Sequence, residues 1–365
     1  MSTNTTQSNL IRLAPLQLGE LPEHPSLPSG DSTRPRLLPF LLTLLDDGAD
    51  FLSPASFSAN FKHHSVKSVP PSEAKVEVLT YSVAAKELED IVDWSGSKST
   101  APIANPDQPE AATGHGETYA RPGRSKPPLK VLSAGEHWCA RKSIHKGISS
   151  KDASSPGNAS WKEFIYGLRD NHSKHEEDFT PTLYDAHCVC TWGEEVKDLE
   201  SQGKIVGRSG QKYSCVTLAI YEMCHGTPPP TSPRCFPVLV ATASISADEF
   251  LAVTVPVTLG TGVHDAIYSS GRNTRDGKTS QQRKSVVLGV YTAIEIVRRK
   301  DGDPNVGKNW DEVEWIMATA SDAKGNLPMW MQKMGVPGMI AKDVSYFLKW
   351  IKTVPDNEVE SVKVV

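Results

Sequence analysis

Residues 326–352 read NLPMWMQKMGVPGMIAKDVSYFLKWIK. Asn326 is a good helix N-cap, and Pro328 falls in the first turn, where a missing N–H is harmless. Steps of 100° per residue set Leu327, Met331, Met334, Ile340, Val344, Phe347, Leu348 and Ile351 on one face. Gln332, Lys333, Lys342, Asp343 and Lys349 fall on the other, which the spacing assigns to solvent. One long amphipathic helix is predicted, kinked or broken at Gly335 and Pro337, with 335–338 as a hinge. An apolar face of that width has to lie on something.

What precedes it is β-rich. Six stretches, 183–190, 213–223, 236–245, 250–259, 286–298 and 313–321, are separated by turn chemistry such as GTPPPTSP at 226–233. They predict an antiparallel meander, because parallel neighbours need a crossover helix between them. Further strands are predicted at 75–83 and 136–145, and a short buried helix at 37–45 (LLPFLLTLL). A longer helix at 160–180 opens with Ser160 and Glu163 spaced as a capping box.

In 250–259 (FLAVTVPVTL), Leu251, Val253, Val255 and Val257 share one face while Ala252, Thr254 and Thr258 take the other. The C-terminal helix is the expected cover of that aliphatic face. Leu251, Val253 and Val255, with Leu288, Val290 and Met317, are therefore expected to line an apolar space beneath Met331, Met334, Ile340, Val344 and Phe347. Methionines at 317, 329, 331, 334 and 339 suit an adaptable apolar site, and equally a core with irregular gaps. Arg141, His145, Tyr213 and Thr319 are the polar candidates for orienting a head group. Alternation puts Tyr291 and Glu295 opposite Leu288, Val290, Ile294 and Ile296, hence outward if the aliphatic face lines the cavity.

Residues 314–351 (EWIMATASDAKGNLPMWMQKMGVPGMIAKDVSYFLKWI) resemble the C-terminal part of START-related lipid-transfer domains. There a last strand passes through a Gly-x-(Ile/Leu)-Pro-x-Trp turn into the closing helix, and the matching residues are Gly325, Leu327, Pro328 and Trp330. Together with EHWCARKSIH at 136–145 and NASWKEF at 158–164, the stretch is more closely similar to an uncharacterised fungal family of that superfamily. The resemblance implies an α+β, helix-grip (Bet v 1-like) fold: a curved antiparallel sheet wrapped around a long C-terminal helix, with a hydrophobic cavity. It implies no established ligand; the function expected on that fold is non-catalytic binding, with or without intracellular transfer, of a lipid, sterol or other hydrophobic small molecule. The alternatives on the same frame are a cyclase- or aromatase-like enzyme acting on a polyketide-like substrate and an interaction module with a filled core.

The chain has 365 residues, 39 Lys and Arg against 43 Asp and Glu, and a net charge of −4, which argues against a basic nucleic-acid binder. Six cysteines with no CxxC pair predict reduced thiols, and the start MSTNTTQSNL lacks the layout of a signal peptide, so a cytoplasmic location is expected. A loose tail is expected over 1–34 and the domain over 35–352, with a Pro/Gly/Ser-rich insertion at 96–128 and a second tail at 353–365.

No catalytic residue, cofactor or metal is assigned. The chain holds neither GxSxG nor HExxH, and GRNTRDGKTS from Gly271 has one residue too many for a phosphate loop. His187 with Cys188 and Cys190, and His172 with His175, lack a second half-site and read as strand thiols and a solvated helix end. His63 and His64 read as part of a polar connection. Arg272, Arg275, Lys278, Arg283 and Lys284 form a basic stretch that either meets an anionic membrane surface, at about 1 kcal/mol per charge, or stays solvated.

Overall fold

The computed structural model describes residues 10–29, 34–91, 135–228, 231–272, 286–302, 310–324 and 329–364, with backbone alone at 89–91 and 329–335. In chain order the elements are α1 (Leu37–Phe51), α2 (Pro54–Asn60), β1 (Lys62–Lys67), β2 (Val76–Val83), α3 (Ala85–Ile91) and β3 (Glu136–Lys146). Then come α4 (Trp161–Leu168), α5 (His172–Phe179), β4 (Leu183–Thr191), α6 (Gly193–Ser201), β5 (Ser214–His225), β6 (Arg234–Ser246) and β7 (Glu249–Pro256). The last are β8 (Val287–Leu288), β9 (Val290–Lys300), β10 (Glu312–Asp322), α7 (Met329–Ile351) and α8 (Asp356–Glu360).

The strands form one ten-stranded sheet ordered β1-β2-β3-β10-β9-β7-β6-β5-β4, antiparallel throughout except that β8 pairs in parallel with β6. The predicted meander is there, and its last strand closes onto β3. With α7 laid across one face, this is the α+β helix-grip arrangement. The predicted strand at 286–298 is divided at Gly289, where the Phe236 ring occupies the space a side chain would need. The helix expected over 160–180 is likewise two. Ser160 and Glu163 form the capping box of α4, and Asn171, at φ 47°, turns the chain into α5.

Each face of the sheet has its own cover, and here the structure reverses an expectation. Leu251, Val253 and Val255, with Ile294 and Ile296, pack against Phe40, Leu41, Leu44 and Leu45 of α1. A methyl group at Gly48 would stand 2.5 Å from Val253 Cγ2, so glycine is what lets α1 come this close to β7. The segment before α1 completes that layer. Leu10, Ile11, Leu16, Leu21 and Leu27 are all buried, and Leu16 pairs with Val257, its N–H donating to Pro256 O at 2.8 Å. The described part of the expected loose tail is thus built into the core, because its leucines supply the apolar area that offsets ordering it.

The second face carries α4, α5 and α7. Ile340, Val344, Phe347, Leu348 and Ile351 of α7 pack with Trp161, Phe164, Ile165 and Leu168 of α4 over Val78, Cys139, Val313 and Trp315 of the sheet. The predicted apolar face of α7 is the one that packs. The helix runs unbroken through Pro337, where Gly338 and Met339 are exposed, Met339 to 61%. The expected C-terminal tail also docks: Val354 and Val359 are buried, and Glu358 and Glu360 of α8 hold Tyr166 and Lys162 of α4. The 96–128 insertion lies outside the described residues.

Candidate functional site

The strand positions that do not meet α1 face the α4, α5 and α7 side; Phe250 and Val297 there belong to the apolar core, but the next positions along β7 and β9, Ala252, Thr254, Ala293 and Glu295, are short or polar. Ala252 and Thr254 of β7, Tyr291, Ala293 and Glu295 of β9, Trp315 and Met317 of β10 and Arg141 of β3 form one wall of a chamber across four neighbouring strands. The other wall is His172, Glu176 and Phe179 of α5, the adjoining Thr180, and Asp343 of α7. His172, Glu176 and Phe179 recur at i, i+4 and i+7, which is why one face of a short polar helix presents all three. The free space is about 470 Å³ including its part open to solvent, and its closed part admits only small groups.

Arg141 anchors the chamber. It is 2% exposed, its Cζ lies 3.8 Å over the Trp315 ring, and its Nη2 donates to Glu295 Oε1 at 3.0 Å. Trp315 Nε1 donates to the same oxygen at 2.6 Å, which fixes the carboxylate. Arg141 Nε and Nη1 have no partner among the described residues. Buried donors of a guanidinium are rarely left unmatched, so these two are set for an acceptor that the described residues do not supply.

The carboxylates are the second feature. Glu176, Glu295 and Asp343 come from three elements and face one space with a single guanidinium. Burial pushes Asp343 up from 3.8 to about 7, with Glu176 and Glu295 adding to the rise and Arg141 opposing it. Burial likewise raises Glu176, and it raises the Tyr291 phenol well above its ordinary range, with Glu176 contributing. His172 gives its Nδ1–H to Leu168 O at 2.7 Å, so Nε2 is the nitrogen left for the chamber.

Asp343 sets a pH signature. Below about pH 4 folded and unfolded chains both carry its proton. Between about 4 and 7 the unfolded chain releases it while the folded chain holds it, so this group lowers stability as pH rises to about 7 and keeps it lowered above. Asp343→Asn is expected to be more stable than the parent at pH 8, with the advantage shrinking toward pH 4. Urea unfolding at pH 8, 6 and 4.5 checks this; an advantage independent of pH contradicts it.

Of the residues predicted from sequence, the chamber unites Arg141 and Met317. Thr319 shares their strand face, but its Oγ1 donates to Thr292 O at 3.0 Å. Leu251, Val253 and Val255 face α1 instead, Leu288 is 44% exposed, and Val290 is half-buried away from the chamber. Ile340, Val344 and Phe347 are solid core, and the side chains of Met331 and Met334 lie outside the described residues. His145 is a core histidine beside Phe164 and Trp315, held neutral by burial, which takes it down to about 3. Tyr213 lies on the α1 side and donates to Asp46 Oδ1 at 2.8 Å, tying the 205–213 loop to α1.

The residues that sequence reasoning placed outward are the ones that matter: Tyr291, Glu295, Asp343, and His172 with its neighbour Glu176. Cys188 and Cys190 do not share a face, because a bulge between them leaves Cys188 exposed and Cys190 buried. Among the described residues no three His, Cys, Asp or Glu side chains could hold a metal ion, and no helix is long and apolar enough to cross a membrane. His63 and His64 sit in the edge strand β1. Of the basic stretch only Arg272 is described, and it donates to backbone oxygens of its own turn, His264 O and Ala266 O. Arg275, Lys278, Arg283 and Lys284 lie outside the described residues.

A family described as a protein of unknown function, DUF3074, matches residues 138–351. No curated protein matches the chain. Among solved structures it is similar to human STARD10 at 10% identity and a TM-score of 0.44, over 86% of this chain and 82% of that one. It is similar to the lipid transfer and protein localization domain of human StarD13 (DLC2) at 10% identity and a TM-score of 0.36, over 83% and 95% of the two chains. Human StAR-related lipid transfer protein 5 gives 9% identity and a TM-score of 0.36, over 83% and 88%.

Proposed function

As the chain belongs to the DUF3074 family of proteins of unknown function, we propose from the chamber itself that it binds, without covalent chemistry, an amphipathic small molecule of the lipid or sterol kind. The polar end enters the chamber and accepts hydrogen bonds from Arg141. The apolar remainder lies along the Phe179, Tyr291 and Met317 side and beneath the first half of α7. The observation that carries this is Arg141: almost fully buried, stacked on Trp315, with two nitrogens, Nε and Nη1, that meet no acceptor among the described residues.

The closed space is too small for a whole lipid, so loading on this reading displaces part of the roof. The segment around Pro337 is the place for it. Proline leaves one intrahelical hydrogen bond unmade there, and a Cβ placed on Gly338 would meet no described atom within 4 Å outside its own stretch of helix. Transfer between cytoplasmic membranes is the cellular role that fits such a carrier.

A proton-transfer enzyme is the second reading, favoured by one observation: a carboxyl held near neutrality, Asp343, shares the chamber with a guanidinium. Native mass spectrometry of the purified chain, followed by extraction and identification of what is bound, separates the two. A carrier is expected to retain an amphipathic species in one-to-one ratio, lost when Ala293→Trp fills the chamber. Conversion of the bound species on incubation supports the enzyme. An empty chain after exposure to a lipid and sterol panel contradicts both.

A further inference from the structure

The charge inside the chamber selects among amphipathic ligands. Glu176, Glu295 and Asp343 face Arg141 in one space, and only Glu295 bonds to it. Neither the Glu176 nor the Asp343 carboxyl group has a hydrogen-bond or ion-pair partner among the described residues, although both line the chamber. Acidic side chains gathered in a recess are commonplace, but here they share the recess with a buried guanidinium, two of whose nitrogens have no partner among the described residues. An anionic head placed on those donors would sit beside the Glu295 carboxylate and two further acids, and would be repelled by each that is ionised. A neutral polyol can satisfy Arg141 and donate to Glu176 and Asp343, but it brings no charge to balance them once they ionise. A basic nitrogen resolves both difficulties.

Resting on the reading that the chamber binds a polar head, we propose that this head joins a basic nitrogen to an oxygen acceptor: the nitrogen held by the Glu176 and Asp343 carboxylates, the oxygen by Arg141 Nε and Nη1. Long-chain amino alcohols are the simplest members of that class. The acceptor oxygen need carry no charge, since the guanidinium provides it.

Proton linkage follows from the same arrangement. Among the described residues, the titratable groups that face the nitrogen are His172 and Glu176 from α5, Tyr291 and Glu295 from β9, Asp343 from α7 and Arg141 from β3; β7 and β10 contribute none. Burial favours the protonated carboxyls in the empty chamber. An ammonium favours the ionised forms, so it binds with release of protons, and its affinity rises with pH while the amine itself stays charged.

The test is isothermal titration of the full-length chain, stripped of bound lipid, with three probes of one chain length: 2-aminododecan-1-ol, dodecane-1,2-diol and dodecanoate. The amino alcohol is expected to bind at least about tenfold more tightly than the diol at pH 7.5, with dodecanoate weakest. The amino alcohol is also expected to lose affinity between pH 7.5 and 5.5 by a larger factor than the diol. Glu176→Gln with Asp343→Asn, which removes two desolvated acids and so favours folding, is expected to abolish the preference for the amine. A diol that binds as tightly as the amine, or a carboxylate that binds more tightly, overturns this inference and leaves the head-binding reading intact. No binding by any probe overturns both.

Discussion

A chain lacking residues 1–28 is expected not to fold. The deletion removes Leu10, Ile11, Leu16, Leu21 and Leu27, each at most 5% exposed, from the layer that covers β7 and β9. At about 1.5–3 kcal/mol per fully buried side chain, that is about 7–15 kcal/mol of apolar burial. It matches the whole net stability of an ordinary domain, about 5–15 kcal/mol. The deletion also takes from the buried Glu136 carboxylate its only described cation, Arg12, and the Leu13 N–H that donates to it at 2.7 Å, leaving Trp138 Nε1 as its donor. Expression with circular dichroism and gel filtration reads the outcome. A soluble, cooperatively unfolding deletion chain contradicts the packing described for this segment.

The second large effect lies in the chamber. Arg141→Met is expected to lose about 3–5 kcal/mol of stability, because the Glu295 carboxylate, 8% exposed, then lies buried without its cation. Adding Glu295→Gln is expected to restore most of that loss, since an amide still accepts from Trp315 Nε1 and no longer brings a charge. Urea unfolding of parent, single and double variants measures both steps. Equal destabilisation by the single and the double variant contradicts a coupled pair. The double variant has a second use: folded, but without the two free donors, it is expected to fail to retain the ligand.

The strands were legible because their signal is local. Alternation over 250–259 and 286–298 states which side chains share a face, and β7 and β9 obey it. Alternation does not state which face meets which helix. Two apolar covers compete for one sheet, α1 and α7, and the aliphatic stripe of Leu251, Val253 and Val255 went to α1. Once that stripe is assigned to α1, Tyr291 and Glu295 turn from solvent to chamber without any change in the strand reading. Gly48 within LLTLLDDGADF was the available clue to a close helix–strand approach.

Helical periodicity failed at Asp343 for a related reason. It sorts residues by polarity and so assigns to water a carboxylate that faces an internal polar space. His172 and Glu176 were hidden by the same rule, since a helix as polar as HSKHEEDF reads as solvated unless something charged lies beneath it. The N-terminal leucines were obscured by the prolines and charged residues between them. Arg141 was among the polar candidates, but β3 (EHWCARKSIHK) also carries Lys142, Lys146 and two histidines, so the strand by itself does not single it out.

The claim on which the rest depends is that a ligand occupies the space between β9, β10, α5 and α7. Photo-crosslinking with a diazirine-bearing fatty alcohol, mapped residue by residue by tandem mass spectrometry, tests it directly. Labels are expected on Phe179, Ala293 or Met317, and are expected to vanish in Ala293→Trp. Labels confined to the outer surface or to α1, and unchanged by Ala293→Trp, would contradict it.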